Sequence, residues 1–173
     1  MSAGPAEPAP LHAIRVGQGV DVHPMVPGRP LVLGGVTVPY DRGLGGHSDA
    51  DVVAHAVCDA LLGAAGLGDL GGHFPPEDPR WTGTSSLEFC RYVGKLLAET
   101  GWQLGNADVA VLCDQPRLAP FVPAMVGTLA AALGVAPDRL RIVPKSCEGL
   151  GFAGRGEGIC AIAVCMLLPG GTG

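Results

Sequence analysis

The sequence alternates between short segments typical of β-strands and longer segments with helical periodicity. The chain has 28 Gly and 16 Pro residues among 173, and these separate the segments clearly. This alternation predicts an α/β fold (α+β-like), with a mixed β-sheet covered by three helices. Strands are expected at 14–22, 31–33, 36–40, 106–113, 140–143 and 158–168, and helices at about 49–67, 85–100 and 120–133.

The length indicates a single domain, which we expect to occupy residues 14–168. Residues 1–13 are rich in Pro and Ala and are expected to form a disordered leader, and residues 169–173 a flexible tail. No signal peptide is apparent, and no apolar run reaches the roughly 18 residues of a membrane span. The six cysteines form no C-x-x-C pair, which favours buried, reduced thiols in the cytoplasm.

The charge of the chain excludes one class of partner. The formal net charge is -5, and the 11 basic residues form no cluster, so nucleic acid is not an expected ligand. A small phosphorylated molecule remains compatible with this composition, because a metal ion and backbone N–H groups can neutralise a few phosphate charges locally.

The expected first helix carries an unusual set of charges. We expect Ser48 or Asp49 to cap it. Asp51, His55 and Asp59 follow at intervals of four and would share one stripe. A solvated stripe normally contains Lys, Arg and Glu, but residues 49–68 contain none of them. The stripe is therefore either a polar surface or a set of ligands directed at a site.

A second candidate lies in the first strand, where Asp21 and His23 are two residues apart. Residues at this spacing point to the same side of a strand, so both side chains can reach one ion. Carboxylate and imidazole suit zinc or a similar divalent cation, although this short motif often arises by chance and, taken alone, favours a surface turn.

Two glycine-rich loops complete the candidates. Residues 68–75 contain Asp69, which could bind the hydroxyls of a sugar-like ligand or simply belong to a surface turn. Residues 145–158 follow a strand and expose many backbone N–H groups together with Ser146 and Glu148. Neither loop matches a Walker motif, a dinucleotide-binding fingerprint or a nucleophile elbow.

A series of short motifs runs along residues 14–168. They are GVDVH at 19–23, LGGV at 33–36, HSDADV at 47–52 with His55, DALLGA at 59–64, GDLG at 68–71, FP at 74–75, GNADV at 105–109 and GRGEG at 154–158. In these motifs and their order, the chain resembles the 2-C-methyl-D-erythritol 2,4-cyclodiphosphate synthase family. Each motif is weakly specific alone, whereas the ordered series is very specific.

The resemblance implies an intramolecular reaction. In 4-diphosphocytidyl-2-C-methyl-D-erythritol 2-phosphate, the 2-phosphate attacks the β-phosphorus, CMP leaves and a cyclic diphosphate forms, in the non-mevalonate route to isoprenoid precursors. The resemblance also implies one zinc ion per subunit on Asp21, His23 and His55, and a magnesium or manganese ion on Glu148. A homotrimer with sites between adjacent subunits is implied as well.

The family also implies roles for the remaining site residues. His47 and Ser146 match positions that stabilise the transition state. The positions that hold the methylerythritol phosphate correspond to Ser48, Asp69, Gly71 and the loop from Phe74 to Asp78. The substrate contacts further include Asp21, His23, Lys145, Ser146, Cys147, Glu148, Phe152 and Arg155, the last near the threefold axis, and the cytosine loop of Cys113, Pro116, Arg117, Leu118 and Ala119.

One segment departs from the family pattern. The family commonly has a Thr-rich run before the acid and a Lys after it, whereas here Lys145-Ser146-Cys147 precedes Glu148 and Gly149 follows.

Helix spacing places Asp59 one turn beyond His55. Asp59 is therefore the candidate to orient an imidazole of the metal site.

Two other functions would use the same residues. A zinc hydrolase needs the same three ligands but a water nucleophile and a general base. A binding protein for diphosphates would need no turnover, although the presence of all four metal ligands favours catalysis.

Overall fold

The structure is a computed structural model that describes residues 13–75 and 77–170. Residues 1–12 of the leader expected at 1–13, and residues 171–173 of the tail expected at 169–173, lie outside the described residues. The strands are β1 (Arg15–Pro27), β2 (Leu31–Leu33), β3 (Val36–Val38), β4 (Arg42–Leu44), β5 (Trp102–Leu112), β6 (Leu140–Lys145) and β7 (Gly158–Pro169). The helices are α1 (Val52–Ala65), α2 (Leu70–His73), α3 (Ser86–Glu99), α4 (Val122–Leu133) and α5 (Gly151–Gly154). Every helix in this part of the chain is too short or too polar to span a lipid bilayer.

Five strands form one sheet in the order β4-β1-β7-β5-β6, and β2 and β3 form a separate hairpin. β7 pairs antiparallel with both β1 and β5, whereas β5 and β6 are parallel. The sheet is therefore mixed, as the sequence predicts, and the three long helices α1, α3 and α4 are the ones expected. The predicted hairpin is also confirmed: Gly34 and Gly35 both have positive φ, at 56° and 75°, as its tight turn requires.

Several strand boundaries differ from the prediction: β5 begins four residues earlier than expected, β6 continues to Lys145, β4 was not predicted, and β1 is longer. β1 was expected to give way to a loop at Pro24, but it continues to Pro27. Proline has no backbone N–H, so it interrupts strand pairing only at a position where that N–H would have donated a hydrogen bond to the neighbouring strand. The next residue, Met25, donates to the Glu157 carbonyl at 2.8 Å, and residues 25–27 pair with β4. The pairing therefore passes across the proline.

Helix α1 lies against one face of the sheet and forms the centre of the core. Eleven of its residues are buried, because alanine and valine let it approach β1 and β7 closely. α3 packs on α1, and α4 packs on α3. This layer covers a single face of the sheet.

The opposite face of the sheet carries several exposed valines, beside the exposed Asp108–Arg141 ion pair. Val16 and Val20 on β1 are 68% and 52% exposed, and Val22 and Val164 are 47% and 45% exposed. Exposed contiguous apolar surface of this kind is typical of a protein–protein interface.

Candidate metal centre and substrate-binding surface

Glycines in β1 bring the strand onto the backbone of α1. A Cβ at Gly19 would lie 2.1 Å from the Ala56 carbonyl oxygen, and one at Gly17 would lie 2.0 Å from that of Ala60. Only glycine allows such an approach. Asp21 follows two residues later on the same face of the strand, which places it beside His55 in α1.

The start of α1 is fixed by Asp51, not by Ser48 or Asp49 as expected. The Asp51 carboxylate accepts N–H groups from Val53 and Ala54 in the first turn, and from Gly34 and Gly35 in the hairpin. It is completely buried and does not belong to the exposed stripe. Burial raises its pKa to about 6, against the lowering effect of the backbone donors. This cap orients the helix that carries His55.

Asp21, His23 and His55 converge on one point, as the sequence led us to expect. Asp21 Oδ2 lies 3.2 Å from His23 Nε2 and 2.9 Å from His55 Nδ1. Each residue offers one ligand atom, and these atoms all lie within 4.8 Å of one another. We call this group the triad.

The outer nitrogen of each imidazole is already bonded. His23 Nδ1 lies 2.7 Å from the Gly45 carbonyl, and His55 Nε2 lies 2.8 Å from Ser86 Oγ. Because a carbonyl only accepts, His23 carries a proton on Nδ1, and loss of the Nε2 proton to an incoming cation leaves a lone pair directed at the centre of the triad. The triad therefore directs electron pairs inward and favours positive charge at its centre.

The pKa shifts of Asp21 and His23 also indicate that the centre of the triad favours positive charge. Burial raises the pKa of Asp21, but hydrogen bonds and charge from His23 and His55 outweigh it and hold the pKa well below its usual range. The pKa of His23 is raised, chiefly by its hydrogen bond to Asp21 and against the effect of burial. One carboxylate and two imidazoles form a donor set that zinc and similar ions accept. The residues thus fit a divalent ion.

Asp59 does not have the role expected from helix spacing. Its Oδ1 accepts the Leu70 N–H at 2.7 Å, so it holds α2 rather than an imidazole. The neighbour of the His55 ring is instead Ser86, which comes from the start of α3. The sequence predicts only the start of a helix near Ser86, because no local pattern connects Ser86 with α1.

A cavity of about 310 Å³ adjoins the triad. Arg29 donates at 2.6 Å to each of the Gly46 and Ser48 carbonyls, on either side of His47, and so fixes that residue's backbone. The Ser48 hydroxyl is buried and lies 3.2 Å from His55 Nε2. The cavity is lined by His23, Gly46, His47, Ser48, His55, Leu70, Gly71, Phe74, Trp81 and Phe89.

The two acids expected beside this cavity also have structural partners. Asp69 Oδ1 accepts the Gly72 N–H at 2.7 Å and caps α2. Asp78 caps a short 3-10 turn and forms an ion pair with Arg80, whose hydrogen bonds lower the pKa of Asp78. Both carboxylates are therefore held by structural partners, and neither lines the cavity.

A second cavity, of about 480 Å³, lies between the expected cytosine loop and the end of β6. Pro116 follows a cis peptide bond in this loop. The cavity is lined by Cys113, Asp114, Arg117, Leu118, Ala119, Pro120, Pro144, Lys145 and Ser146. The structure thus brings together two segments that the sequence analysis assigned to one substrate.

The 145–149 loop is shaped by Asp114, which the sequence analysis did not single out. The two Asp114 oxygens accept the N–H groups of Cys147 and of Gly149, the latter at 2.9 Å. These bonds flank Glu148, whose φ of 53° is unusual for a residue other than glycine. Such a conformation persists only where neighbouring contacts hold it. These backbone bonds also lower the pKa of Asp114.

Phe152 and Arg155 lie beyond the 145–149 loop, in and just after α5. Phe152 is 39% exposed. The Arg155 guanidinium forms a two-bond ion pair with Glu157, at 2.8 and 3.0 Å. Neither residue lines the two cavities described above.

The triad and the 145–149 loop lie at the same end of the sheet but on different strands. Val22 in β1 lies opposite Cys160 in β7, which lies opposite Leu112 in β5. Leu112 in turn lies opposite Lys145 in β6. The two regions are thus separated by three strand spacings of about 4.8 Å each, roughly 14 Å in all.

Comparison with known proteins identifies the family. The YgbB family profile matches residues 14–168. The 2-C-methyl-D-erythritol 2,4-cyclodiphosphate synthase of Moorella thermoacetica is 56% identical over 155 residues, which cover 90% of this chain and 95% of that protein. This chain belongs to the YgbB family.

Two further relatives agree with this membership. The 2-C-methyl-D-erythritol 2,4-cyclodiphosphate synthase of Symbiobacterium thermophilum is 56% identical over 152 residues, covering 88% of this chain and 97% of that protein. The structure of IspF from Plasmodium falciparum, solved as a CDP complex, superposes with a TM-score of 0.80 at 28% identity, covering 91% of this chain and 97% of that one. The family resemblance stated from the motifs is confirmed.

Proposed function

We propose that this YgbB family member converts 4-diphosphocytidyl-2-C-methyl-D-erythritol 2-phosphate into 2-C-methyl-D-erythritol 2,4-cyclodiphosphate and CMP. The chain is accordingly a phosphorus–oxygen lyase of the non-mevalonate pathway to isoprenoid precursors. The observation that carries this proposal is the convergence of Asp21, His23 and His55 within a chain 56% identical to curated synthases.

The triad would hold zinc, and Glu148 would hold Mg²⁺ or Mn²⁺. When bound, these ions supply Lewis-acid stabilisation of the phosphate oxygens and fix the diphosphate in line with its nucleophile. A single carboxylate suits Mg²⁺, which keeps several waters, whereas the nitrogen-rich triad suits zinc.

The remaining residues would bind and orient the substrate. In the first cavity, Ser48, Asp69, Gly71 and the loop from Phe74 to Asp78 would hold the methylerythritol phosphate. Because the Ser48 hydroxyl faces His55, its contact with substrate is expected through the backbone. In the second cavity, cytosine would be bound by Cys113, Pro116, Arg117, Leu118 and Ala119, and phosphate by Lys145, Ser146 and Cys147. His47 and Ser146 would donate to the oxygens that gain charge in the transition state.

We infer that the enzyme is a homotrimer with its sites between subunits. The exposed apolar face of the sheet supports this inference, since Val16, Val20 and Val164 have no partner on that face within the described chain. The separation of roughly 14 Å between the triad and the 145–149 loop also supports it. The two phosphates of one diphosphate are joined by a single P–O–P link, which is far shorter than this distance. The triad and the loop of one chain therefore cannot both hold the same diphosphate. A neighbouring subunit would bring its own loop to the triad.

Analytical ultracentrifugation tests the assembly. The wild-type protein should sediment as three copies of the 17.5 kDa chain. Val164→Asp should shift the distribution towards the monomer, because the buried interface cannot solvate an unpaired carboxylate. A wild-type monomer that turns over at the full rate would contradict the trimeric site.

We place the protein in the cytoplasm. All six cysteines are free, and five of them are buried, which matches a reducing compartment. Fractionation of the source cells with an antibody against the chain would check this location.

Product analysis tests the catalytic proposal. The protein is incubated with the cytidylyl substrate, Zn²⁺ and Mg²⁺, and the products are followed by ³¹P NMR. One CMP and one cyclic diphosphate per substrate are expected. A linear product would instead identify a zinc hydrolase, and tight binding without turnover would identify a binding protein.

A further inference from the structure

The outer side of the His55 ring faces a buried serine and a carboxylate. His55 Nε2 lies 2.8 Å from Ser86 Oγ, and Ser86 is completely buried at the start of α3. Both polar groups of Ser86 also bond to Asp49: its N–H donates to Oδ2 at 2.9 Å, and its hydroxyl bonds to Oδ1. The three residues thus form a chain of contacts from a carboxylate to a metal-binding imidazole.

The direction of these hydrogen bonds follows from the chemistry of the groups. An ionised carboxylate only accepts, so the Ser86 hydroxyl must donate its single proton to Asp49. The Ser86 oxygen then has only lone pairs left for His55, and His55 must donate through Nε2–H. A neutral imidazole carries one proton, so with Nε2 protonated a cation at the centre of the triad can take the Nδ1 lone pair, in place of the hydrogen bond that Nδ1 makes to Asp21 Oδ2.

We propose that Ser86 and Asp49 are positioning residues that fix the tautomer and orientation of His55 for the cation. The carboxylate acts through the serine hydroxyl rather than by direct contact. The inference rests on the metal-binding part of the proposed function. Neither residue touches substrate in this role, and both are separated from Asp21 and His23 by the His55 ring.

A purely structural role is the competing explanation, because Asp49 also ties its loop to the start of α3. Its N–H donates to the Thr84 carbonyl at 3.1 Å, and its carboxylate receives the Ser86 N–H. The two explanations differ for Asp49→Asn. An amide keeps both hydrogen bonds to Ser86 and gives up only the 3.3 Å bond that Asp49 Oδ1 accepts from the Asp51 N–H. Its NH₂ group donates to Ser86 Oγ, which reverses the serine hydroxyl towards His55 Nε2. The reversed hydroxyl favours the tautomer with a proton on Nδ1, which blocks the metal-facing lone pair.

The experiment measures zinc affinity in the full-length protein by competition with a chromophoric chelator. Ser86→Ala and Asp49→Asn should each weaken zinc binding by about 10- to 100-fold, the usual effect of losing an outer partner of a metal-bound histidine. Asp49→Asn should be at least as damaging as Ser86→Ala. ¹⁵N NMR at a saturating zinc concentration for the wild type should show His55 protonated on Nε2 with Nδ1 free of its proton, whereas in Asp49→Asn at the same zinc concentration Nδ1 should keep its proton.

Ser85→Ala is the matched control. Ser85 caps α3 through the Leu87 N–H and is adjacent to Ser86 in sequence. This variant should lower stability slightly and keep wild-type zinc affinity. Wild-type affinity in Asp49→Asn, with an unchanged tautomer, would overturn the inference while leaving the triad intact. A wild-type protein that binds no zinc would instead refute the metal assignment itself.

Discussion

The triad and the 145–149 loop both collect polar groups at one end of the sheet, yet they are held in different ways. The triad side chains are only 14–21% exposed, and each imidazole has a partner on its outer nitrogen. The loop is exposed, and a single carboxylate, Asp114, holds its turn. The triad can therefore bind its ion before substrate arrives, whereas the loop is expected to complete its ligand set with substrate and a second ion.

The strongest test of this difference is His55→Ala. Loss of one of three ligands should abolish stoichiometric zinc binding and lower turnover by about 10³-fold, since the ion contributes several kcal/mol to the transition state. The sedimentation coefficient should remain that of the wild type, because His55 lies away from the exposed sheet face. Zinc content is measured by atomic absorption after dialysis.

His47→Ala is the control for this variant. His47 lines the same cavity but does not belong to the triad. It should keep one zinc per chain while losing turnover. If His47→Ala lost its zinc and His55→Ala kept it, His47 rather than His55 would be the zinc ligand.

The next effect concerns the packing that builds the triad. Gly19→Ala should lower the free energy of unfolding by about 3 kcal/mol, because its Cβ would overlap the Ala56 carbonyl oxygen. Gly63→Ala, in α1 with no atom within 4 Å of the new Cβ, should instead raise it by about 0.5–1 kcal/mol. Chemical denaturation measures both. If the two variants changed the free energy of unfolding equally, β1 would not lie against the backbone of α1.

The loop can be tested separately with Glu148→Gln. This variant should lower turnover by about 10²-fold at fixed Mg²⁺, because the ligand charge is lost. Its zinc affinity should equal that of the wild type. Steady-state rates across a Mg²⁺ titration give the first quantity, and chelator competition gives the second. Coupled loss of zinc would mean that the two regions form one metal centre.

A smaller effect is expected from Asp114→Asn. An amide can accept only one of the two N–H groups that the carboxylate receives, and its NH₂ group would oppose the other. Turnover should fall about tenfold, chiefly through a higher Mg²⁺ requirement. Asp138→Asn, on an exposed turn, is the control. An unchanged Mg²⁺ requirement would show that Asp114 does not orient Glu148.

The sequence predicts the elements well because glycine and proline mark their ends. It predicts the hairpin at Gly34-Gly35, and it ends α1 at about residue 67, close to the left-handed Gly66 that caps the helix. It misplaces the start of α1, because Ser48, Asp49 and Asp51 are all suitable caps. Only the hairpin N–H groups, which are distant in sequence, select Asp51.

The candidate site shows the same limit. Asp21 and His23 are recognisable from strand spacing, and the ordered motifs join them to His55. The supporting residues are not recognisable, because each reaches the site across a long stretch of sequence. Ser86 bonds His55 from another helix, and Arg29 bonds the backbone on either side of His47. Asp59, the choice from local spacing, holds α2 instead.

Zinc K-edge X-ray absorption on the purified protein tests the central claim most directly. The triad predicts a first shell of nitrogen and oxygen only, with multiple-scattering features of two imidazoles and a carboxylate. The same spectrum is expected from Glu148→Gln, because the loop contributes no zinc ligand. Sulfur scattering from any of the six cysteines, or the features of a single imidazole, would contradict the assignment of zinc to Asp21, His23 and His55.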